Sequence, residues 1–137
     1  MESDIKINLI DGASTTNDTS GYVSIDNSTN RITISNANSG FTYIISGTLT
    51  NGSIVVTSTV KDVTCELVLN GVSITSSDQA PISSTGKAKL KVKKADNSTN
   101  YIEDNRPTAT DVDESAAIFS NKKLSVVGQG SLSIAAN

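Results

Sequence analysis

The sequence predicts an all-β fold, a parallel β-helix or solenoid in which each coil stacks on the one before it. Three observations point there. Short alternating apolar stretches are separated by clusters of Gly, Asn, Asp and Ser. A strand pattern ending in glycine recurs at a solenoid-like period. Apolar residues nowhere keep helical spacing over about a dozen positions, so helix is expected only as a brief capping turn.

The elements follow in chain order. Ile5-Lys6-Ile7-Asn8-Leu9, Tyr22-Val23-Ser24-Ile25 and Ile32-Thr33-Ile34 alternate apolar and polar side chains and read as short strands of an N-terminal cap over residues 1–40. From residue 41 to 137 the repeat takes over. Tyr43-x-Ile45-x-Gly47, Leu67-x-Leu69-x-Gly71 and Leu124-x-Val126-x-Gly128 share one pattern, and Leu90-x-Val92-x-Lys94 is a fourth copy without its glycine. The copies start 24, 23 and 34 residues apart, the last gap being lengthened by an acidic, Pro-containing segment between Glu103 and Ser115. A second element, Ser53-Ile54-Val55-Val56, Ala80-Pro81-Ile82-Ser83 and Ala117-Ile118-Phe119-Ser120, recurs in step with the first. Each coil therefore holds at least two strands.

Alternate residues of a strand point to opposite faces, so stacked coils bury columns of equivalent side chains. The expected columns are Tyr43, Leu67, Leu90, Leu124 and Ile45, Leu69, Val92, Val126. Each buried aliphatic contributes roughly 1.5 to 3 kcal/mol, too little for one or two coils to offset their own ordering cost. Gly47, Gly71 and Gly128 fall where the strand must bend into the next turn. Cys65 is expected on the inward face as a small buried hydrophobe, level with Ala88 and Lys122 of the following coils.

Composition narrows function before any site is considered. The 137 residues suit a single domain, and with 4% aromatics and no Trp the core must be aliphatic. A net charge of -3 disfavours nucleic acid, which demands a basic excess. One cysteine and no histidine exclude an intrachain disulfide and a Cys/His zinc site. No apolar run approaches the roughly 20 residues of a membrane-spanning helix. The start Met1-Glu2-Ser3-Asp4 lacks the basic and apolar regions of a secretory signal, so the protein is either cytosolic or, as expected here, extracellular or at the cell surface with its leader outside this sequence.

The stretch Phe41-Thr42-Tyr43-Ile44-Ile45-Ser46-Gly47-Thr48-Leu49-Thr50-Asn51-Gly52-Ser53-Ile54-Val55-Val56, followed by Leu67-Val68-Leu69-Asn70-Gly71-Val72-Ser73-Ile74, resembles the carbohydrate-binding domain family of bacteria. Asn100-Tyr101-Ile102-Glu103-Asp104 and the run from Ser120 to Ile134 match the same style. The resemblance implies a right-handed parallel β-helix, distantly related in shape to pectate lyases, that binds polygalacturonate or cellulose without cleaving it. Family members usually continue through further coils, whereas this sequence stops at Asn137 directly after a core strand. An open end of this kind is expected to belong to a longer protein or to be completed by a partner, including another copy of the chain.

Two clusters carry candidate chemistry. Lys87, Lys89, Lys91 and Lys93 alternate with Ala88, Leu90 and Val92, which places four ammonium groups on one outer strand face. A solvated face paired with Glu66, expected beside Lys89, and with Lys123 one coil on would look the same. The functional expectation is that these cations track the carboxylates of a polyuronate. In the second cluster, Asp104, Asp111, Asp113 and Glu114 crowd carboxylates into a loop between coils, and a calcium ion would relieve their repulsion with oxygen ligands. A solvated acidic insert is the competing reading, and the spacing is not that of an EF-hand.

Without histidine there is no conventional Ser/His/Asp machinery. The enzymatic alternative is a calcium-dependent polysaccharide lyase, with Arg106 the one arginine beside the acidic loop. The structural alternative is a self-assembling fibre or surface protein extended by strand addition. Thr48, Thr57 and Thr75 form no regular ladder of the kind ice binding needs, and the Asn-x-Ser/Thr sequons beginning at Asn17, Asn27, Asn51 and Asn97 are incidental to an Asn- and Ser-rich chain.

Overall fold

The computed structural model describes residues 4–19, 21–35, 42–58, 61–77, 80–105 and 117–136. Among these residues there are thirteen strands and no helix. They are β1 (Asp4–Leu9), β2 (Thr15–Thr16), β3 (Val23–Asp26), β4 (Arg31–Ile34), β5 (Thr42–Leu49), β6 (Ser53–Val56), β7 (Thr64–Ser76), β8 (Ile82–Ser84), β9 (Lys89–Lys94), β10 (Thr99–Asp104), β11 (Ile118–Ser120), β12 (Leu124–Gly128) and β13 (Ser131–Ala136). The expected all-β class holds. Among the described residues no helix is long and apolar enough to cross a membrane.

Two mixed sheets result. One runs β12-β9-β7-β5-β1-β2, with β10 joining β7 to β13, and the other runs β11-β8-β6-β4-β3. Pairing is parallel throughout except β1 with β2 and β3 with β4, which are antiparallel. The antiparallel strands lie at the N-terminal edge of each sheet and are reached by local reversals, as short connections require. Parallel partners instead come from segments a coil apart.

The thirteen-residue β7 explains how the chain turns a corner. Its first half pairs with β9 and its second half with β10, so one continuous strand faces two strands separated by a turn. At the corner Gly71 has φ 84°, a left-handed conformation that costs a side-chain-free residue nothing. Asn100, 1% exposed, closes the corner from the next coil. Its Oδ1 accepts from the Gly71 and Val72 N–H groups at 2.9 Å each, and its Nδ2 donates to Ser98 Oγ at 2.9 Å and to the Ser131 carbonyl at 3.0 Å. A buried amide so fully satisfied stabilises the bend rather than penalising it. Gly47 shows the second use of glycine: with φ 106°, a Cβ there would stand 2.2 Å from the Leu9 carbonyl oxygen.

The core is aliphatic and continuous through the stack. Ile5, Tyr43 and Leu67 are register partners, as are Ile7, Ile45 and Leu69, and all six are at most 4% exposed. On the second sheet Ile32, Ile54, Ile82 and Ile118 make one ladder.

The expected columns need one correction. Leu90 pairs with Cys65, and Leu67 pairs with Val92, so the stack slips by two residues between β7 and β9. The corner sets this register. Leu69 directly precedes the Asn70-Gly71 bend, Lys94 directly precedes the Ala95–Ser98 turn, and these two positions lie side by side. A slip of two keeps every side chain on its face, whereas a slip of one would have turned the core outward. Cys65 is buried as expected, but it stands level with Leu90 and Leu124 rather than with Ala88 and Lys122. Leu124 and Val126 continue their ladders but are 38% and 46% exposed, because β12 has no further partner among the described residues.

Candidate functional site

The four lysines of the β9 stretch alternate with buried Ala88, Leu90 and Val92. Strand geometry alone sends their ammonium groups to one outer face. Lys87, Lys89 and Lys93 are exposed and Lys91 is partly covered. The covering group is Glu66, whose Oε2 lies 3.6 Å from Lys91 Nζ across the β7–β9 pair. Its other oxygen, Oε1, accepts from Thr42 Oγ1 at 3.0 Å, one strand further along. Glu66 was expected beside Lys89; the two-residue slip moves it to Lys91 and puts Thr64 next to Lys89. Lys87, Lys89 and Lys93 have no acidic partner among the described residues.

Two clefts flank Lys89. The larger, about 390 Å³, is lined by Lys61, Asp62, Lys87, Lys89 and Lys122. The smaller, about 300 Å³, is lined by Thr64, Lys89, Leu90, Lys91, Lys123 and Ser125. Six lysines from three successive coils thus converge on one side of the molecule. Lys61, Lys87 and the pair Lys122-Lys123 each stand just before the strand that opens their coil, so stacking the coils stacks the cations. Asp62 enters the cleft from a turn in which it adopts φ 61°, a conformation that Asp tolerates better than most residues. Lys61 and Asp62 are missed by reading the stripe along one strand. The signal available in the sequence was a lysine a few residues ahead of the apolar repeats that start at Leu67, Leu90 and Leu124.

Such an arrangement can hold anions. Ammonium groups concentrated in concave surfaces raise the local potential above what isolated surface lysines produce, in a chain whose net charge is negative.

Of the four carboxylates expected to hold calcium, Asp104 alone lies among the described residues. It occupies an inward position at the end of β10, level with Ser76 and Ala136, and is 4% exposed. Asp111, Asp113 and Glu114 lie outside the described residues, as does Arg106. Among the described residues no three His, Cys, Asp or Glu side chains come together as a metal site.

Cys65 is no nucleophile at neutral pH. Burial, and secondarily the neighbouring Glu66 carboxylate, push its thiol up to about 12.

Comparison with known proteins adds to this geometry. A carbohydrate-binding domain-containing protein of Acetivibrio thermocellus is 32% identical over an alignment covering 69% of this chain and 34% of that protein. The solved structure of the polysaccharide lyase-like protein from C. thermocellum, a gadolinium derivative, superposes with a TM-score of 0.80 at 27% identity, covering 94% of this chain and 51% of that one. The chain thus spans about a third of the curated relative and half of the solved one. The family profile of carbohydrate-binding domain-containing proteins matches residues 26–137, most of the sequence, and the chain belongs to that family.

Proposed function

We propose that this chain is a non-catalytic, extracellular module that binds acidic plant-type polysaccharide, polygalacturonate foremost and cellulose as a further ligand. The observation that carries the reading is the pair of adjoining lysine-lined clefts around Lys89. A polyuronate offers carboxylates at regular intervals along an extended chain. Lys87, Lys89, Lys91 and Lys93, widened by Lys61, Lys122 and Lys123, offer cations over a comparable surface. The family supports a carbohydrate ligand, and the lyase-like neighbour supports a polysaccharide.

The parallel pairing of successive coils supports reading the stack as a parallel β-helix, and parallel crossover connections are right-handed in nearly all proteins. Calcium would assist by bridging sugar carboxylates to the acidic segment of Asp111, Asp113 and Glu114, whereas Asp104, buried at the end of β10, would not reach the sugar.

The test is retention on immobilised polygalacturonate with calcium and with chelator, run beside an absorbance assay for unsaturated sugar products. Retention without products is the expected result. Product formation would replace binding with lyase chemistry, and no retention in either buffer would remove the acidic ligand. Charge reversal in Lys89→Glu/Lys91→Glu should weaken retention and flatten its salt dependence; full retention by that variant would move the site away from the clefts.

One observation favours a second reading, self-association by strand addition. Leu124 and Val126 of β12 and Ile134 of β13, exposed by 38 to 54%, continue the inward rows onto strands whose outer edges have no partner among the described residues. Particle growth with concentration in light scattering would support it.

A further inference from the structure

The outer face around β10 differs chemically from the lysine clefts. Thr99, Tyr101 and Glu103 point outward there, between buried Asn100, Ile102 and Asp104. Register places Ser73 of β7 and Ser133 of β13 on either side of Tyr101, and Thr75 beside Glu103. Thr48 of β5 extends the row from Ser73. Hydroxyls, one ring and one carboxylate line this face, and no Lys or Arg occupies any of these positions.

Tyr101, 36% exposed, is the one large exposed aromatic among the described residues. Its hydroxyl donates to Glu103 Oε1 at 2.6 Å. The two residues lie two apart on one strand, so this bond tilts the phenol along the strand and fixes it there. The same bond raises the Tyr101 pKa and keeps the phenol protonated. Directly beneath, Asn100 pins the backbone to the segments on both sides through three of its four hydrogen bonds, those with Gly71, Val72 and Ser131. The ring therefore stands on a backbone that has little freedom left to lose when a ligand arrives.

We infer that the Tyr101–Glu103 face is a second sugar site, separate from the lysine clefts, and that it takes an uncharged pyranose with equatorial hydroxyls. Such a sugar presents C–H groups on its ring faces, and these meet the negative face of the Tyr101 π system. Equatorial hydroxyls then reach sideways to the Glu103 carboxylate and to the Ser73, Thr75 and Ser133 hydroxyls. A uronate is disfavoured because its carboxylate would face Glu103, and no Lys or Arg stands at the neighbouring register positions among the described residues. Neighbouring parallel strands lie about 4.8 Å apart, close to the width of a sugar ring, so adjacent rows of hydroxyls can flank one stacked ring. The inference rests on the reading of this chain as a polysaccharide-binding module but not on the lysine clefts.

The experiment titrates the full chain with cellohexaose, followed by amide chemical shifts and calorimetry, alongside polygalacturonate retention. Shift changes are expected at Ser73, Tyr101, Glu103 and Ser133. Tyr101→Ala and Tyr101→Thr should each weaken cellohexaose binding about tenfold while leaving polygalacturonate retention unchanged. Threonine preserves strand propensity, so a shared loss in both variants, with melting temperatures near that of the wild type, is a loss of the ring. Lys89→Glu/Lys91→Glu should do the reverse. Cellohexaose binding that depends on Tyr101 without polygalacturonate retention would keep this site and remove the acidic ligand. Polygalacturonate retention with no cellohexaose shifts, or with both Tyr101 variants binding cellohexaose like the wild type, would overturn the Tyr101 site alone.

Discussion

Lys91 Nζ and Glu66 Oε2 stand 3.6 Å apart across two neighbouring coils, so the lysine at the centre of the stripe is the one whose charge is already answered. Both side chains are partly solvated, and an ion pair of this kind contributes at most about 1 kcal/mol to stability. Its larger effect is on the surface field. Glu66→Gln removes the negative charge and frees Lys91 for a ligand, so it should strengthen polygalacturonate retention at low salt while shifting the folding free energy by less than about 1 kcal/mol. Retention across a salt series, with urea melts in parallel, reads both quantities. Unchanged retention would mean that Lys91 does not face the polymer.

A second expectation concerns the middle of the core. Leu90, 1% exposed, lies between Cys65 on one side and Leu124 on the other. Leu90→Ala should cost about 2 to 5 kcal/mol by opening a cavity that stacked coils cannot close. Leu124 packs beside Leu90 on one side only and is 38% exposed, so Leu124→Ala should cost clearly less. Chemical denaturation of both variants checks the ranking, and equal losses would contradict the exposed position of β12.

These two leucines also show how far the sequence could be read. Alternation assigns inward and outward faces without error through Cys65, Leu67, Leu69, Ala88, Leu90 and Val92, because side-chain direction in a strand is a matter of parity. Register was less legible. A column of Leu-x-Leu repeats fits its neighbour equally well at an offset of zero or two, and the deciding feature is where each strand meets its corner. The site divides similarly: the outward lysines of β9 follow from parity, whereas Lys61 and Asp62 join them only through stacking. Tyr101 sits in a stretch that resemblance singled out, but its pairing with Glu103 depends on a side-chain tilt that no pattern encodes.

Alkaline pH should reveal the burial of Cys65. The unfolded thiol releases its proton near its ordinary value of about 8.5, whereas the folded one holds it up to about 12. Stability from this difference is fully present below about pH 8.5 and is lost as pH rises toward 12, at up to about 1.4 kcal/mol per pH unit. Cys65→Ala is less stable at pH 7 because it loses packing, yet it lacks this alkaline decline. Melts of both proteins from pH 7.5 to 10.5 should therefore converge, and parallel curves would show that the thiol is not held neutral by the fold.

Tyr43 supplies the final prediction. It is 0% exposed in the column between Ile5 and Leu67, and its hydroxyl has no hydrogen-bond partner among the described residues. A buried donor left unmade costs about 1 to 3 kcal/mol, so Tyr43→Phe, which keeps the ring and removes the hydroxyl, should hold or raise stability at pH 7 by roughly 1 kcal/mol. The same burial, with smaller contributions from Cys65, Asp18 and Tyr22, raises the phenol's pKa above its usual value of 10.0. The unfolded phenol ionises near pH 10 while the folded one does not, so the wild type loses stability above that pH and Tyr43→Phe escapes the loss. The gap between the two proteins should widen as pH rises past 10. A phenylalanine variant less stable than the wild type at pH 7 would mean that the hydroxyl is satisfied in solution, by water or by a residue outside those described.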